Sequence, residues 1–193
     1  MKIKVLFSLI LFFAVAFIRG EVYNDAELKT GMIYSLCKFI SWPDGADTTK
    51  PFVISIIGRT VPGKDVFITS DYPIQKRKVV VKRIKNLEEI KDTEVLFITF
   101  SEEKRLPEIL EYVSGKPILT VGDTKGFGEK GVMINFLWVK GSIKFEINRE
   151  KAEKSTLQFR SQLFKIGLLI GKINSHEGKE SGENHDSKGE IEP

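Results

Sequence analysis

The sequence predicts an α/β layered domain with a largely parallel sheet, an antiparallel C-terminal hairpin and a long terminal helix. Three patterns carry that expectation. Residues 52–57 and 95–100 are nearly continuous apolar, β-branched and aromatic runs, as strands covered on both faces require. Segments of helical or turn character alternate with them, which implies right-handed crossovers between parallel neighbours. A hairpin signal and a long helical periodicity then close the chain.

Asn24-Asp25-Ala26-Glu27 reads as a helix-starting capping box. After it Leu28, Met32, Leu36 and Ile40 recur at helical spacing, with Ile33 and Phe39 widening the stripe. This helix is expected to reach about Ser41, because Pro43 pushes Trp42 out of the α region. The strand at 52–57 follows, and shorter apolar runs at 79–81 and 118–121 read as further strands. Residues 64–69 and 87–91 read as helix or turn, and 102–113 as a helix capped by Ser101 with Glu102 and Glu103 on its positive end. Residues 132–139 and 142–147 form a hairpin around Lys140-Gly141. In its second arm Ile143, Phe145 and Ile147 alternate with Lys144 and Glu146, so one face is wet and the arm is expected at an edge.

Asn148 then caps a helix expected over about 149–173. Ala152, Thr156, Phe159, Leu163, Ile166 and Ile170 make the seam that docks on the sheet. Leu157, Phe164 and Leu168 fall on a second stripe and are candidate partner-binding residues, for a homodimer or another protein, unless the domain's own loops cover them.

The 193 residues suit one compact domain, preceded and followed by segments of other character. Residues 1–20 read as a cleaved signal peptide: Lys2 and Lys4, an apolar stretch too short to span a bilayer, then Ala14-Val15-Ala16 or the later Ile18-Arg19-Gly20 as the cleavage signal. Residues 174–193 carry six acidic side chains against Lys179 and Lys188 and have one aliphatic residue, Ile191, so they read as a disordered acidic tail. The domain between them spans 21–173, and its expected compartment is the periplasm. Loss of the signal leaves 27 basic against 26 acidic side chains, so the sequence pI of about 9.0 does not mark a nucleic-acid binder. The basic run at 76–85 reads as a strand with a buried apolar centre and solvated ends, the alternative being a positive patch that steers an acidic partner or rests near anionic lipid headgroups.

Both histidines, His176 and His185, lie in the tail, so the domain lacks the usual base of a nucleophilic triad. Cys37 is alone, mid-helix, and reads as packing, which leaves no disulfide and no cysteine metal cluster. No catalytic residue, cofactor or metal is called for. Residues 126–131 match G-x-G-x-x-G literally, but a strand rather than a helix follows, so the glycines read as a loop. Asp123, Lys125, Gly126 and Gly128 remain candidates for holding a small anionic or polar ligand there.

Several segments, in order, resemble the YfiR/HmsC-like family of small periplasmic proteins. They are the helix ending in Lys38-Phe39-Ile40-Ser41-Trp42-Pro43, the strand over 54–58, and Val95-Leu96-Phe97-Ile98 with Ser101. Pro117-Ile118-Leu119-Thr120-Val121-Gly122-Asp123 follows, then Gly131 through Ile134-Asn135-Phe136, and Phe145-Glu146-Ile147-Asn148. The resemblance covers about 25–172 and makes Phe39, Trp42, Pro43, Asn135, Phe136 and Asn148 family-motif structural residues. It implies a non-enzymatic regulator that binds the periplasmic sensor domain of an inner-membrane signalling protein. In the family's best-understood members that partner is a diguanylate cyclase, held inactive so that cyclic-di-GMP output and biofilm formation fall. The alternative is a periplasmic small-ligand-binding protein serving a sensor kinase or an outer-membrane receptor. Characterised members hold several cysteines; the single Cys37 departs from that pattern and removes redox control of that kind.

Overall fold

In the computed structural model, residues 25–43, 49–59 and 72–171 are described. The expected capping residue Asn24, the segment at 64–69, the signal peptide and the acidic tail lie outside them. Helix α1 (Asp25–Leu36) leads through a short 3-10 turn (Cys37–Phe39) into strand β1 (Ile40–Ser41). The helix therefore stops earlier than its apolar stripe suggests. Ile40 and Ser41 pair antiparallel with Phe159 and Gln158 instead, and Arg160 N donates to Phe39 O at 2.9 Å.

The apolar runs become β2 (Phe52–Ile57), β3 (Val79–Ile84), β4 (Val95–Ile98) and β5 (Leu119–Gly122). A 3-10 turn (Leu87–Ile90) lies between β3 and β4, where Glu89 Oε1 accepts from Asn86 N at 3.0 Å. A second turn (Phe100–Glu102) precedes helix α2 (Leu106–Tyr112), whose first turn holds Pro107. Ser101 is not its cap. Its hydroxyl accepts from Arg59 N at 2.8 Å and lies 3.0 Å from Thr99 Oγ1, so α2 begins only at Leu106. Strands β6 (Ile134–Val139) and β7 (Ser142–Asn148) form the hairpin, and Lys140 and Gly141 adopt φ of 50° and 78°, as a two-residue turn with the strand twist requires.

The long terminal helix is replaced by four short elements: α3 (Arg149–Lys154), β8 (Gln158–Phe159), α4 (Ser161–Ile166) and β9 (Leu168–Ile170). Helix α3 ends at Ser155, which is extended at φ −77°, ψ 164° and bonds Ala152 O through its hydroxyl at 2.7 Å. Gly167 ends α4 in an extended conformation. It is packed so tightly on β7 that a Cβ there would stand 2.7 Å from Ile147 Cδ1 and 2.8 Å from Phe145 Cε2. Helical spacing between Ala152 and Leu163, both buried, thus comes from separate elements docking on one core.

The main sheet has the order β3-β2-β4-β5-β6-β7-β9. Pairs are parallel from β3 to β6, antiparallel for β6 and β7, and parallel again for β7 and β9. The second hairpin arm is therefore not an edge strand: β9 covers it. Alternate strand residues face two cores. Phe52, Ile54, Ile56, Phe97 and Val121 pack under α1, Trp42, Leu157 and Leu163. Ile57, Leu96 and Ile98 pack under α2, Phe127 and Val132. The α/β layered class, its mostly parallel sheet and its antiparallel hairpin stand as expected.

Candidate functional site

The three side chains of the expected second stripe do not form one surface of one helix. Leu157 is buried, 5% exposed, between α3 and β8. Phe164 is half-buried, its ring 5.9 Å from that of Phe159 and 5.8 Å from the Arg149 guanidinium carbon. Leu168 is 51% exposed, on the last strand of the described sheet. Around it Leu169 and Ile166 are also exposed, at 43% and 45%. Sequence reasoning missed Leu169, and the missing signal was Gly167 and Gly171 bracketing a short apolar run, a strand punctuated at both ends.

The candidate ligand loop is built at the carboxyl end of β5. Asp123 Oδ2 takes a 2.6 Å salt bridge from Lys29 of α1, whose side chain is 8% exposed. Gly126 has φ of 86°, and Phe127 beyond it is fully buried, which turns the loop inward. Gly128 has no room for a side chain: a Cβ there would meet Ile170 Cδ1 at 2.5 Å and Glu146 Oε2 at 2.7 Å. Lys130 Nζ donates to Glu103 at 2.7 Å, and this ammonium holds the Glu103 carboxyl below its ordinary range. Lys125 is exposed.

The family-motif residues converge behind this loop. Asn135, fully buried, donates through Nδ2 to Thr124 O at 3.0 Å and to Glu146 Oε2 at 3.1 Å, while its Oδ1 is closed to solvent without a donor. Asn148 donates to Gly128 O at 2.9 Å and accepts from Lys151 N at 3.0 Å, so one side chain pins the loop and caps α3. Phe136 is 2% exposed and belongs to the α1-side core. Phe39 is half-buried beside β1, and Trp42 meets Phe52 edge-on, with centroids 5.1 Å apart, before the half-buried Pro43.

At the amino ends of β2 and β4 lies a buried ion pair that the sequence did not single out. Arg77 is 5% exposed; its Nε donates to Lys50 O at 2.8 Å, and its Nη2 to Pro51 O at 2.6 Å and to Glu94 Oε1. Glu94 Oε2 in turn accepts from Val53 N at 2.7 Å. Within a run of lysines and arginines nothing marks this one as interior. Cys37 is buried, and burial, helped by the Glu94 carboxylate, raises its thiol well above the ordinary range. Among the described residues no helix is long and apolar enough to cross a membrane.

None of the curated proteins matches the chain. Among solved structures, the ABC domain in complex with L-Trp from Streptococcus pneumonia is similar at 10% identity and a TM-score of 0.48, over 77% of this chain and 61% of that one. The chain thus spans less than two thirds of that neighbour. Residues 26–167, most of the sequence, match the YfiR/HmsC-like family, and the chain belongs to it.

Proposed function

We propose that this chain is an exported, non-enzymatic regulator that binds the extracytoplasmic sensor domain of an inner-membrane signalling protein, a diguanylate cyclase by family precedent. Membership of a family of periplasmic regulators of cyclic-di-GMP signalling is the observation that carries this reading. The surface that suits it is the β9 edge, where Ile166, Leu168 and Leu169 leave apolar area in water beside the half-buried Phe164. A partner strand or helix laid there removes that area, and each large side chain fully covered contributes roughly 1.5–3 kcal/mol before association costs.

The test is crosslinking and recovery from solubilised membranes of the tagged full chain, against Leu168→Asp and Leu169→Asp, with cellular cyclic-di-GMP as second readout. The wild type should carry one membrane signalling protein that both variants lose, with cyclic-di-GMP changing alongside. A homodimer held by the same edge is a distinct outcome, read by light scattering. Recovery of no membrane protein and unaltered cyclic-di-GMP on deletion would reject the proposal.

A further inference from the structure

Pocket-lining residues at the amino ends of β2, β4 and β5 combine a buried cation with an unspent donor. The cleft measures about 930 Å³ and is bounded by Trp42, Pro51, Arg77, Ile90, Tyr112 and Lys116. Arg77 is built in, not draped over the surface: three acceptors hold Nε and Nη2, and its guanidinium carbon lies 5.4 Å from the Phe52 ring centroid. Its Nη1 has no hydrogen-bond partner among the described residues and is not sealed from solvent. An arginine that lines a cleft with its guanidinium fixed by three acceptors and one amino group uncommitted is pre-organised for an anion, although only 4% of its side chain is exposed.

Two features show that the fold maintains this arrangement at a cost. The two residues before Arg77, Gln75 and Lys76, both have positive φ, 51° and 63°, in a turn closed by paired bonds between Ile74 and Arg77. Gln75 Nε2 ties that turn to Ile40 O at 3.2 Å. In the same cleft wall the buried Trp42 leaves its indole N–H without an acceptor. Across the cleft the Lys116 ammonium sits 3.5 Å from the Tyr112 ring centroid, giving a flat wall with a cation on it.

We propose that this cleft binds a small organic monocarboxylate with a flat apolar body. One amino group of one guanidinium suits a monoanion, whereas a phosphate dianion would set a second negative charge in a wall that already holds Glu88, Asp92 and Glu94. The carboxylate accepts from Arg77 Nη1, and the apolar body lies between Tyr112 and the Ile90 side of the cleft. The site is at the β2 end of the sheet, remote from β9, so it does not depend on the partner-binding reading.

The experiment uses the full chain carrying Trp138→Phe, which removes the exposed tryptophan and leaves Trp42 as the fluorescent reporter. Phenylacetate is the probe, with 2-phenylethanol and phenyl phosphate as the uncharged and dianionic comparators. Phenylacetate should give a saturable Trp42 change with at least ~10-fold tighter binding than either comparator, the worth of one charge-assisted hydrogen bond. Arg77→Lys and, independently, Tyr112→Ala should each weaken it about tenfold or more. Tyr112 lies at the cleft wall outside the ion pair, so it keeps the test open if Arg77→Lys fails to fold. No saturation in the millimolar range, equal binding of the alcohol, or unchanged affinity in Tyr112→Ala would overturn the proposal.

Discussion

Replacing Asn148 separates two tasks carried by one side chain. Its Oδ1 accepts from Lys151 N at 3.0 Å and its Nδ2 donates to Gly128 O at 2.9 Å, with the residue 5% exposed. Loss of an N-cap costs about 1 kcal/mol, and stranding a buried carbonyl costs about 1–3 kcal/mol. Asn148→Ala should therefore destabilise by about 2–4 kcal/mol, a large share of the ~5–15 kcal/mol of an ordinary domain. Asn148→Ser keeps the cap and should recover about 1 kcal/mol of that loss. Asn148→Asp also keeps the cap but places a carboxylate oxygen against the Gly128 carbonyl, so it should be no better than Ala at neutral pH and improve on acidification. Urea titration measures the series, and amide exchange over residues 126–131 reports whether the loop is released. Equal losses in the Ser and Ala variants, or losses all below ~0.5 kcal/mol, would refute this division of roles.

Other consequences are directly measurable. Leu157→Asp buries a charge and should lower the urea midpoint sharply, whereas Leu168→Asp, at a half-exposed position, should shift stability by less than ~0.5 kcal/mol. Cys37 should react with a thiol reagent only as fast as the fold opens. Because its folded pKa lies above the unfolded value of ~8.5, its contribution to stability is complete below that pH and declines as pH rises beyond it, and Cys37→Ala should flatten that decline in alkaline melts. Gly58→Ala forces φ of 100° on an L-residue and sets a Cβ 2.2 Å from Thr99 Oγ1 and 2.6 Å from Ser101 Oγ, so calorimetry should show a loss above ~2 kcal/mol. Lys140→Asn should raise the unfolding free energy measured in urea by a few tenths of a kcal/mol, since Asn tolerates the φ of 50° better.

The strands were legible because burial on both faces leaves a nearly unbroken apolar signature: residues 52–57 and 95–98 are apolar apart from Ser55, whose hydroxyl pairs with that of Thr93, and all are buried except the half-buried Val53. The hairpin was legible from Lys140-Gly141 and the alternation after it. The C-terminal third was not. A helical repeat and a succession of short elements place the same side chains inward, and what distinguishes them is pairing with distant residues: β8 with Ile40 and Ser41, β9 with residues 146–148 of β7. The same limit hid Arg77, whose burial depends on Glu94 and two carbonyls that no local pattern reveals. Of the candidate sites, Asp123 and Gly128 come together with Asn135 and Asn148 around one loop, whereas Leu157 and Leu168 part company, one inside and one out.

The small β1–β8 ladder also governs the order in which the molecule can be completed. The main sheet is assembled largely by neighbours in sequence, so β2 to β7 can register progressively as the chain emerges, whether from a ribosome or across a membrane. Ile40 and Ser41 must wait for Phe159 and Gln158. Until that last stretch arrives, the strand that follows α1 lacks its partner and the Trp42 corner lacks its lock. The fold is thus finished by its end, and a chain cut short before residue 158 should remain an open, protease-sensitive intermediate however complete its central sheet.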